Sequence, residues 1–516
     1  MKTVNMHTNN KQKREFKRIH FIGIAGIGMS GLAQFYHLMG YEVTGSDRAL
    51  INPENKELFS KLSLLGIRIF PQDGSFITAG KPDLLIYSTA IESDNPDFLV
   101  DSDLSKLHRS EALELLINKL ESKITIAVTG SCGKTSVTAW LGESLTNLGM
   151  DPIILNGGMI NSFKNDFLPG NFRPGAGEYF VFEADESDKS LINFKPDYCI
   201  ILNIGTDHYS KEELVEVFET FLMNTKKGAV IESSVYSQLN PATYKHLEIV
   251  IADYTNSDKT TENCWSLQNY ISNKKQCTAV LTKNQKVKLI PIDSSKKYQL
   301  NQAKFDNINS AEQKYPRYIK IDLPVPGVHN AENAMAVIAL INLMSSSDNY
   351  TPIINAVEKF NGVHRRFEFA GKTSNQAKVF DDYAHNIEKI ISIISTSQEI
   401  SDGKVYAVFQ PHGYGPFKFM KDDLFKALEK TLKELDQFIL LPVFYAGGTS
   451  SFSPKAKDVL SDYNFKTSAE NRYLYFDTRS SAEKYLSSIP GENDIILVMG
   501  ARDGSLSQWA REIAGK

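Results

Sequence analysis

The 516-residue chain lacks the run of about 18 apolar residues that a membrane-spanning helix requires, and it contains only four cysteines. Cys132, Cys199, Cys264 and Cys277 are scattered without the paired spacing of a metal site or of a disulfide framework. Such sparse cysteine usage is typical of a reducing compartment. We therefore expect a cytoplasmic protein without structural disulfides.

The chain also lacks an excess of charge of either sign, because 57 basic residues oppose 61 acidic ones. A balance of this kind predicts no general affinity for nucleic acid or for a membrane surface. The first residues are locally basic, but no apolar segment follows them, so they do not form a secretory signal. We predict a flexible tail over residues 1–17, small molecules as the partners, and a monomer or weak homodimer.

The sequence does contain a repeated alternation of apolar strand-like segments and helix-like segments. Its length exceeds what one hydrophobic core supports, and the alternation is typical of parallel sheets covered by helices. Residues 252–322 are polar and predict a β excursion with a loose loop at 295–317. We predict an α/β protein of three domains: a Rossmann-like domain over 1–122, a central P-loop ATPase-like domain with a parallel sheet over 123–350, and a C-terminal Rossmann-like domain over 351–516.

The first strand-like segment leads into a glycine-rich stretch, Gly26-Ile-Gly28-Met-Ser-Gly31. Glycines at this spacing between a strand and a helix let the backbone approach a pyrophosphate at the helix N-terminus. Asp47 ends the next strand and is a candidate acceptor for a ribose hydroxyl. The pattern fits a nicotinamide dinucleotide and a nucleotide sugar equally well, and a tight turn without a ligand is the structural alternative.

A second loop, in the stretch AVTGSCGKTS, ends in Gly-Lys-Thr but has Val128 where the Walker A pattern has glycine. Gly130 and Gly133 allow backbone N–H groups to surround an anion. Lys134 is suited to the β- and γ-phosphate oxygens of a nucleotide, and Thr135 is suited to Mg²⁺. We expect a site for a magnesium nucleotide at this loop.

Carboxylates follow a nearby apolar strand in the stretch FEADESD, and the next strand ends in NIGTDH. Hard oxygen ligands suit magnesium, and the carboxyl ends of neighbouring parallel strands meet at one edge of a sheet. His208 is a candidate member of the same site, whereas a solvated acidic turn is the alternative for any single carboxylate. The acidic candidates are Glu183, Asp185, Glu186 and Asp188.

Ten motifs follow one another along the chain: HFIGIAGIGMSGLA, STAIESDNPD, VTGSCGKTS, EADESD, TDH, PGVHNAENAMA, FNGVHRRFE, DDYAHN, FQPHGYG and LVMGARDG. Together they resemble the Mur ligase family, the ATP-dependent amide-forming enzymes of peptidoglycan precursor synthesis. The resemblance spans nearly the whole chain apart from the basic tail and the loop at 295–317. It implies an enzyme that joins an amino acid, above all L-alanine, to the lactyl carboxylate of UDP-N-acetylmuramate through an acyl phosphate.

The resemblance also implies roles for individual residues, and it makes the first glycine loop a site for the UDP diphosphate. The UDP-sugar residues would be Gly26, Gly28, Met29, Ser30, Gly31, Asp47, Ser88 and Thr89. The ATP residues would be Gly130, Ser131, Gly133, Lys134, Thr135, Ser136, Asn333, Arg366 and Asp382. The metal ligands would be Thr135, Glu183 and His208, the catalytic residues Lys134, His208, Arg365 and His385, and the amino-acid-binding residues His412 and Arg502.

Four positions depart from the family pattern: Cys132 and Asn386 stand where His is usual, Gly413 where Arg is usual, and Arg502 where Gly is common. The last two fall where the incoming amino acid would be selected. Because arginine pairs with carboxylates in a bidentate way, we hypothesise that Arg502 replaces the guanidinium missing at residue 413. A surface ion pair is the alternative role for Arg502.

Three other functions are compatible with parts of the sequence. A ligase of the same type would add a different amino acid or a recycled peptide. A noncatalytic sensor of UDP-sugars or ATP would retain both loops without the chemistry, and a nicotinamide-dependent oxidoreductase would explain the first loop alone. For the ligase we also expect the third domain to close over the other two on nucleotide binding, because water must be kept from an acyl phosphate.

Overall fold

A computed structural model of the chain describes residues 16–52, 55–120, 123–187, 189–205, 209–254, 263–272, 276–283, 318–345, 349–445, 452–467 and 472–515. The predicted tail before Phe16, the β-like stretch KVKLIPI and the predicted loop at 295–317 lie outside these residues. The chain divides into two compact units, one comprising Met1–Ser122 with Lys164–Pro174 and the other comprising Lys123–Phe163 with Gly175–Lys516. No sequence pattern predicts that Lys164–Pro174 belongs with the first unit.

The first unit is built on a parallel sheet with the strand order β3-β2-β1-β4-β5. Ile19, Phe21 and Ile22 of its central strand are all buried, which explains why the strand sequence is continuously apolar. The strands are β1 (Arg18–Ile22), β2 (Glu42–Asp47), β3 (Arg68–Pro71), β4 (Leu84–Tyr87) and β5 (Ser105–His108), and the helices are α1 (Ile27–Leu38), α2 (Lys56–Leu64), α3 (Pro96–Leu99) and α4 (Arg109–Lys119).

The segment Lys164–Pro174 packs against α1 of the first unit. The Asn171 side-chain amide donates a hydrogen bond to Ser30 Oγ at 2.9 Å, and the Phe172 ring stacks on Phe35 with ring centroids 5.3 Å apart. Asn171 and Ser30 are both fully buried. Because a buried polar group without a partner is costly, the segment satisfies polar atoms of α1 as well as covering its apolar side.

The second unit contains a sheet with the order β15-β14-β13-β12-β11-β10-β6-β9-β7, which is parallel except for the antiparallel pairs β13–β14 and β14–β15. Helix α8 (Val328–Ser345) is buried on all sides from Ala334 to Leu343, because this part runs through the core of the unit. The strands are β6 (Ile124–Thr129), β7 (Ile153–Leu155), β8 (Phe172–Arg173, part of the first unit), β9 (Tyr179–Glu183), β10 (Tyr198–Ile201), β11 (Gly228–Glu232), β12 (Glu248–Asp253), β13 (Cys264–Ser272), β14 (Cys277–Lys283) and β15 (Tyr318–Leu323). The helices are α5 (Lys134–Asn147), α6 (Lys211–Asn224), α7 (Ser233–Tyr236), α8 (Val328–Ser345) and α9 (Thr351–Val357).

The same unit contains a further sheet with the order β16-β17-β21-β18-β19-β20, in which only the β16–β17 pair is antiparallel among the described strands. The α/β class and the plan of three helix-covered sheets predicted from the sequence are confirmed. No helix in the described part of the chain is both long and apolar enough to cross a membrane. The strands are β16 (Glu368–Lys372), β17 (Lys378–Asp382), β18 (Val405–Phe409), β19 (Gln437–Leu440), β20 (Tyr473–Tyr475) and β21 (Ile495–Met499), and the helices are α10 (Ile387–Ile400), α11 (Tyr414–Thr431), α12 (Ala456–Thr467), α13 (Arg479–Ser488) and α14 (Ser505–Ile513).

The connection from α9 to β16 is fixed to helix α5 before it reaches the last sheet. Trp140 Nε1 donates a hydrogen bond to the Val357 carbonyl oxygen at 2.8 Å, and the Trp140 ring stacks on Phe360 with centroids 4.5 Å apart. Glu143 accepts a hydrogen bond from the Asn361 backbone N–H at 3.2 Å, and burial raises the pKa of this carboxyl group. The connection is therefore a rigid part of the central sheet's packing and ends at the wall of the cavity described below.

Candidate active site

The loop between β6 and α5 has the backbone geometry of a phosphate-binding loop. Gly133 has a φ of +89°, and a Cβ atom at this position would lie 3.0 Å from Asn333 Oδ1. Glycine is therefore required both by the left-handed conformation and by the close approach of α8. The first N–H groups of α5 point out of this end of the helix, where an anion would bind. The sequence prediction assigned phosphate binding to the preceding loop residues Gly130, Ser131 and Gly133.

Asn203, which follows β10, holds this loop from the neighbouring strand. Its Oδ1 atom accepts a hydrogen bond from the Cys132 N–H at 2.7 Å, and its Nδ2 atom donates to the Cys132 carbonyl oxygen at 3.0 Å. Ser131 Oγ accepts a hydrogen bond from the Gly205 N–H at 2.7 Å. Sequence reasoning missed Asn203, although a polar residue directly after an apolar strand was the available signal.

Lys134 is held by carboxylates at the end of the adjacent strand β9. Its Nζ atom lies 2.6 Å from Glu186 Oε2 and donates a hydrogen bond to the Gly130 carbonyl oxygen at 2.8 Å. Burial opposes the charge of Lys134, but Glu186, Glu183 and Asp185 outweigh it and raise the pKa of the ammonium group. Lys134 is thus a secured cation at the point where phosphate oxygens would bind.

Thr135 and Glu183 form an oxygen pair next to the loop, since Thr135 Oγ1 donates to Glu183 Oε1 at 3.2 Å. The other carboxylate oxygen of Glu183 accepts a hydrogen bond from the Gly157 N–H at 2.9 Å. Magnesium keeps several water molecules and takes one or two protein oxygens plus phosphate, so this donor set fits Mg²⁺. The predicted ligand His208 and the acidic candidate Asp188 lie outside the described residues.

A cavity of about 370 Å³ opens from this loop, and central and C-terminal residues line it together. The predicted ATP residues Gly133, Ser136, Asn333, Arg366 and Asp382 all border it. Further wall residues that the sequence analysis did not select are Tyr254, His329, Asn330, Glu332, Phe360, Lys389 and Ser392.

Asp382 and Arg366 have different environments at the cavity wall. Arg366 borders the cavity and lies over the Tyr383 ring at 5.3 Å. The Asp382 carboxylate accepts hydrogen bonds from the N–H groups of Phe367 and Ala384, each at 2.7 Å, while burial raises its pKa to about 6. Asp382 therefore fixes the chain at the cavity wall and offers little exposed surface to a ligand.

Arg365, which was predicted to be a catalytic residue, is turned into the interior of the C-terminal sheet. Its guanidinium donates to the Gly500 carbonyl oxygen at 2.6 Å and to the Asp503 carbonyl oxygen at 3.0 Å, and it pairs with Asp381 at 3.3 Å. It is not among the residues that line the cavity. Arg365 holds the loop after β21 in place instead of facing phosphate.

The predicted catalytic residue His385 and the predicted amino-acid-binding residues His412 and Arg502 follow the carboxyl ends of β17, β18 and β21. The rings of His385 and His412 lie 5.1 Å apart and nearly perpendicular to each other. His385 Nδ1 lies 3.0 Å from the Tyr383 carbonyl oxygen, so Nδ1 carries the proton and Nε2 is an acceptor in the neutral ring. Burial and then the charge of Arg502 lower the pKa of His412 to about 4, so Arg502 and His412 are electrostatic neighbours.

Arg502 adopts a φ of +64°, a left-handed conformation that explains why glycine is common at this position in the family. No described carboxylate forms an ion pair with it, so the surface ion pair considered above is not observed within the described residues. Arg479 holds the following residue by pairing with Asp503 and by donating to Gln410 Oε1 at 2.6 Å. The strained Arg502 backbone is therefore maintained by its neighbours on both sides.

The departures at Asn386 and Gly413 have local structural reasons. Asn386 caps α10, because its side chain accepts a hydrogen bond from the Lys389 N–H at 3.0 Å. Gly413 precedes α11 with a φ of +82°, so a side chain at this position would be strained. Cys132 contributes its backbone to the pairing with Asn203 described above.

In the first unit, only part of the predicted UDP-sugar set is open to a ligand. Met29, Ser30 and Gly31 are buried inside α1, whereas Gly26 is exposed. Asp47 is 7% exposed, and its two carboxylate oxygens accept hydrogen bonds from the backbone N–H groups of Ala25 and Ala49, each at 2.8 Å. Asp47 therefore shapes the glycine loop from within, which differs from the ribose contact predicted for it.

Arg109, at the first position of α4, faces this glycine loop. A Cβ atom on Gly28 would lie 3.2 Å from Arg109 Nη1, which places a guanidinium against the loop where a diphosphate would approach. The predicted residues Ser88 and Thr89 directly follow β4, which lies beside β1 in the sheet. Sequence reasoning missed Arg109, because its nearness to Gly28 depends on the strand order and not on local spacing.

We expect the stability of the folded chain to depend on pH, because three histidines of the second unit have lowered pKa values. Burial lowers the pKa of His329, His385 and His412 to about 4 each, below the ordinary value of about 6.5. Between these values the unfolded chain binds more protons than the folded chain, so the stability present at pH 6.5 is lost as the pH falls towards 4. We expect the thermal midpoint to fall over this range, and to fall less in His385→Asn and His412→Asn. His37→Asn, at a half-buried position of the first unit, is the control, and an unchanged pH profile in both test variants contradicts the prediction.

The phosphate loop, the Thr135 and Glu183 oxygen pair beside it and the first glycine loop define a nucleotide-utilising α/β enzyme. Comparison with known proteins gives its family. The description "Mur ligase family, catalytic domain" matches residues 18–119, "Mur ligase middle domain" matches 128–221, and "Mur ligase, glutamate ligase domain" matches 365–502. The chain belongs to the Mur ligase family of ATP-dependent amide-forming ligases, as its motifs predicted.

Individual relatives cover almost the whole chain. It is 30% identical to the UDP-N-acetylmuramate–L-alanine ligase of Agathobacter rectalis over 94% of this chain and 95% of the relative. It is 31% identical to the enzyme of the same name from Clostridium beijerinckii over 95% and 96%. Among solved structures, the UDP-N-acetylmuramate-alanine ligase of Thermotoga maritima has a TM-score of 0.72 at 26% identity, covering 96% of this chain and 98% of that one. The fold is also shared with a murein peptide ligase from Psychrobacter arcticus, with a TM-score of 0.62 at 19% identity over 97% and 98%.

Proposed function

We propose that the chain joins L-alanine to the lactyl carboxylate of UDP-N-acetylmuramate at the expense of ATP, through an acyl phosphate. The observation that carries this proposal is one cavity bordered both by the P-loop residues Gly133 and Ser136 and by Arg366 of the C-terminal part. The curated relatives named above are ligases with these two substrates in their names. Membership of the Mur ligase family supports a role for this reaction in peptidoglycan precursor synthesis.

Each group of residues has a separate task in this proposal. The N–H groups at the start of α5 and the Lys134 ammonium would hold the phosphates and stabilise the charge that develops on the transferred phosphoryl group. Thr135 and Glu183, with the predicted ligand His208, would hold Mg²⁺, which supplies charge neutralisation between the phosphates when it is bound. Arg366 would approach the nucleotide from the opposite wall of the cavity.

The amine end of the reaction would lie at the His385, His412 and Arg502 group. The Nε2 atom of neutral His385 is available to accept a hydrogen bond from the incoming amine. Arg502 would bind the carboxylate of the amino acid in place of the arginine that is absent at residue 413. Ser88, Thr89 and the glycine loop, together with Arg109, would bind the UDP part of the sugar nucleotide.

The deciding experiment measures phosphate release from ATP in the presence of Mg²⁺ and UDP-N-acetylmuramate, with each amino acid tested singly. We expect release with L-alanine and formation of the alanyl product, detected by mass spectrometry. Release only with another amino acid would support the ligase chemistry and replace the proposed acceptor. If none of the amino acids or peptides tested gives phosphate release, the proposal is overturned in favour of a noncatalytic binder.

The remaining expectations accompany this proposal. A recycled peptide in place of L-alanine is the second candidate acceptor, and the departures at Gly413 and Arg502 are the reason to test it. We propose a cytoplasmic location, where ATP is available, and a monomer or weak homodimer as the active form. The domain boundaries near residues 122 and 350 belong to the same proposal.

A further inference from the structure

The nucleotide cavity contains a carboxyl group that no described residue binds. Glu332 lies in the first turns of α8, between the wall residues His329 and Asn333, and itself borders the cavity. Among the described residues, none donates a hydrogen bond to its carboxyl group. A polar group in a partly enclosed wall gains a partner only from solvent or from a ligand, so Glu332 is available to recognise one.

The side chain of Glu332 faces the region after β11 and β12, whereas its neighbour Asn333 approaches Gly133 of the phosphate loop. That loop follows β6, and the next strands along the sheet are β10, β11 and β12. Glu332 interacts electrostatically with Glu232, at the end of β11, and with Tyr254, which follows β12. Neighbouring strands lie about 4.8 Å apart, so β11 and β12 are roughly 10 and 14 Å from β6. A nucleotide with its phosphates on the loop would bring its base to this region.

The surroundings of Glu332 favour the neutral carboxyl group. Glu232 lies directly before α7, where its side chain accepts hydrogen bonds from the Ser234 N–H at 2.8 Å and the Val235 N–H at 3.1 Å. Burial, and then the negative charge of Glu232, raise the pKa of Glu332 to about 7. A neutral carboxyl group presents one O–H donor and one carbonyl acceptor side by side.

This donor and acceptor match the 6-amino edge of adenine. Adenine presents a ring nitrogen that accepts a hydrogen bond next to a 6-amino group that donates one. A purine without the 6-amino group lacks the donor. The neutral acid is therefore complementary to adenine in a way that an apolar side chain is not.

We propose that Glu332 recognises the 6-amino group of adenine by hydrogen-bonding this edge of the base. The proposal rests on the proposed ATP site in this cavity and identifies which of its residues reads the base. Glutamine at this position presents the same donor and acceptor as the neutral acid. Leucine has a similar size but no polar atom.

The test measures the binding of ATP and of purine riboside 5′-triphosphate, which lacks the 6-amino group, by titration calorimetry with Mg²⁺ present. A net hydrogen bond of about 0.5–1.5 kcal/mol corresponds to roughly a threefold to tenfold ratio of dissociation constants. We expect that preference for ATP in the native chain, a ratio close to one in Glu332→Leu, and a retained preference in Glu332→Gln. Thermal midpoints of both variants establish that they are folded.

The outcomes separate this inference from the proposed function. An unchanged preference for ATP in Glu332→Leu, or its loss in a folded Glu332→Gln, would overturn the role of Glu332. Failure of the native chain to bind either nucleotide would overturn the nucleotide site itself. Binding with the expected ratios but without phosphate release in the ligase assay would support the base-reading role of Glu332 and count against the ligase reaction alone.

Discussion

Replacing Lys134 with alanine is expected to lower the rate of phosphate release by about 100- to 1,000-fold, the range seen when one preorganised electrostatic donor is removed from an active site. The physical reason is that the Lys134 ammonium is held at the loop by Glu186 at 2.6 Å and by the Gly130 carbonyl oxygen at 2.8 Å. A nucleotide therefore meets a cation that is already positioned. The rate is measured under saturating substrates by a coupled phosphate assay.

Loss of folding must be separated from loss of chemistry in this experiment, because Glu186 is buried and would be left without its partner. Lys134→Met keeps most of the side-chain volume and is expected to show the same loss of rate. Lys195→Ala changes an exposed lysine elsewhere in the second unit and is the matched control. A folded Lys134→Met protein with nearly full activity would show that the phosphates do not bind at this loop.

The second large effect concerns Arg502. We expect Arg502→Ala and Arg502→Gly to raise the KM for the amino acid by about 10- to 100-fold, since a hydrogen-bonded pair of charged groups contributes about 1.5–3 kcal/mol. The KM for ATP should change little. Steady-state kinetics with L-alanine as the varied substrate provide the measurement, and Arg511→Ala, at an exposed position on α14, is the control.

The same position gives an opposite expectation for stability. A non-glycine residue in the left-handed conformation costs roughly 1–2 kcal/mol, and the φ of Arg502 is +64°. Arg502→Gly removes this cost but adds freedom to the unfolded chain, so we expect an unchanged or slightly higher thermal midpoint. A lowered midpoint with an unaltered KM would mean that Arg502 serves the fold and not the acceptor.

Much of the fold and the phosphate site was predictable, because both are encoded by local patterns. Continuous apolar segments identified β6, β9 and β10 and the strands β18, β19 and β21 of the C-terminal sheet. The Gly-Lys-Thr sequence identified Lys134 and Thr135, and the carboxylates at the end of β9 identified Glu183. A glycine-lysine-threonine sequence between a strand and a helix has few other structural explanations. The Mur ligase resemblance then connected distant motifs that no single pattern would have joined.

The residues that sequence reasoning missed depend on neighbours distant in the chain. Asn203 supports Cys132 and Arg109 faces Gly28 only because of the strand order in each sheet. Glu332 was passed over because an acidic residue within a helix motif gives no sign of which wall it borders. These contacts are set by topology, and a single sequence contains no local signal for them.

Arg365 shows a different limit of sequence reading. It precedes Arg366, and the sequence prediction assigned Arg365 to catalysis and Arg366 to the nucleotide. Arg365 has a φ of +58°, so the backbone changes direction between them and sends one guanidinium inward and the other to the cavity. Neither composition nor spacing predicts a left-handed arginine, since this conformation is rare for residues with a side chain.

The packing of Lys164–Pro174 against α1 has a consequence for how the protein is made. Asn171 and Phe172 are needed to complete the interior around Ser30 and Phe35, yet the ribosome reaches them only after β6 and α5 have been synthesised. Domains usually mature in chain order during translation. Here the N-terminal unit cannot finish first, and a gene fragment that stops at residue 122 encodes an N-terminal unit with an exposed, unsatisfied helix.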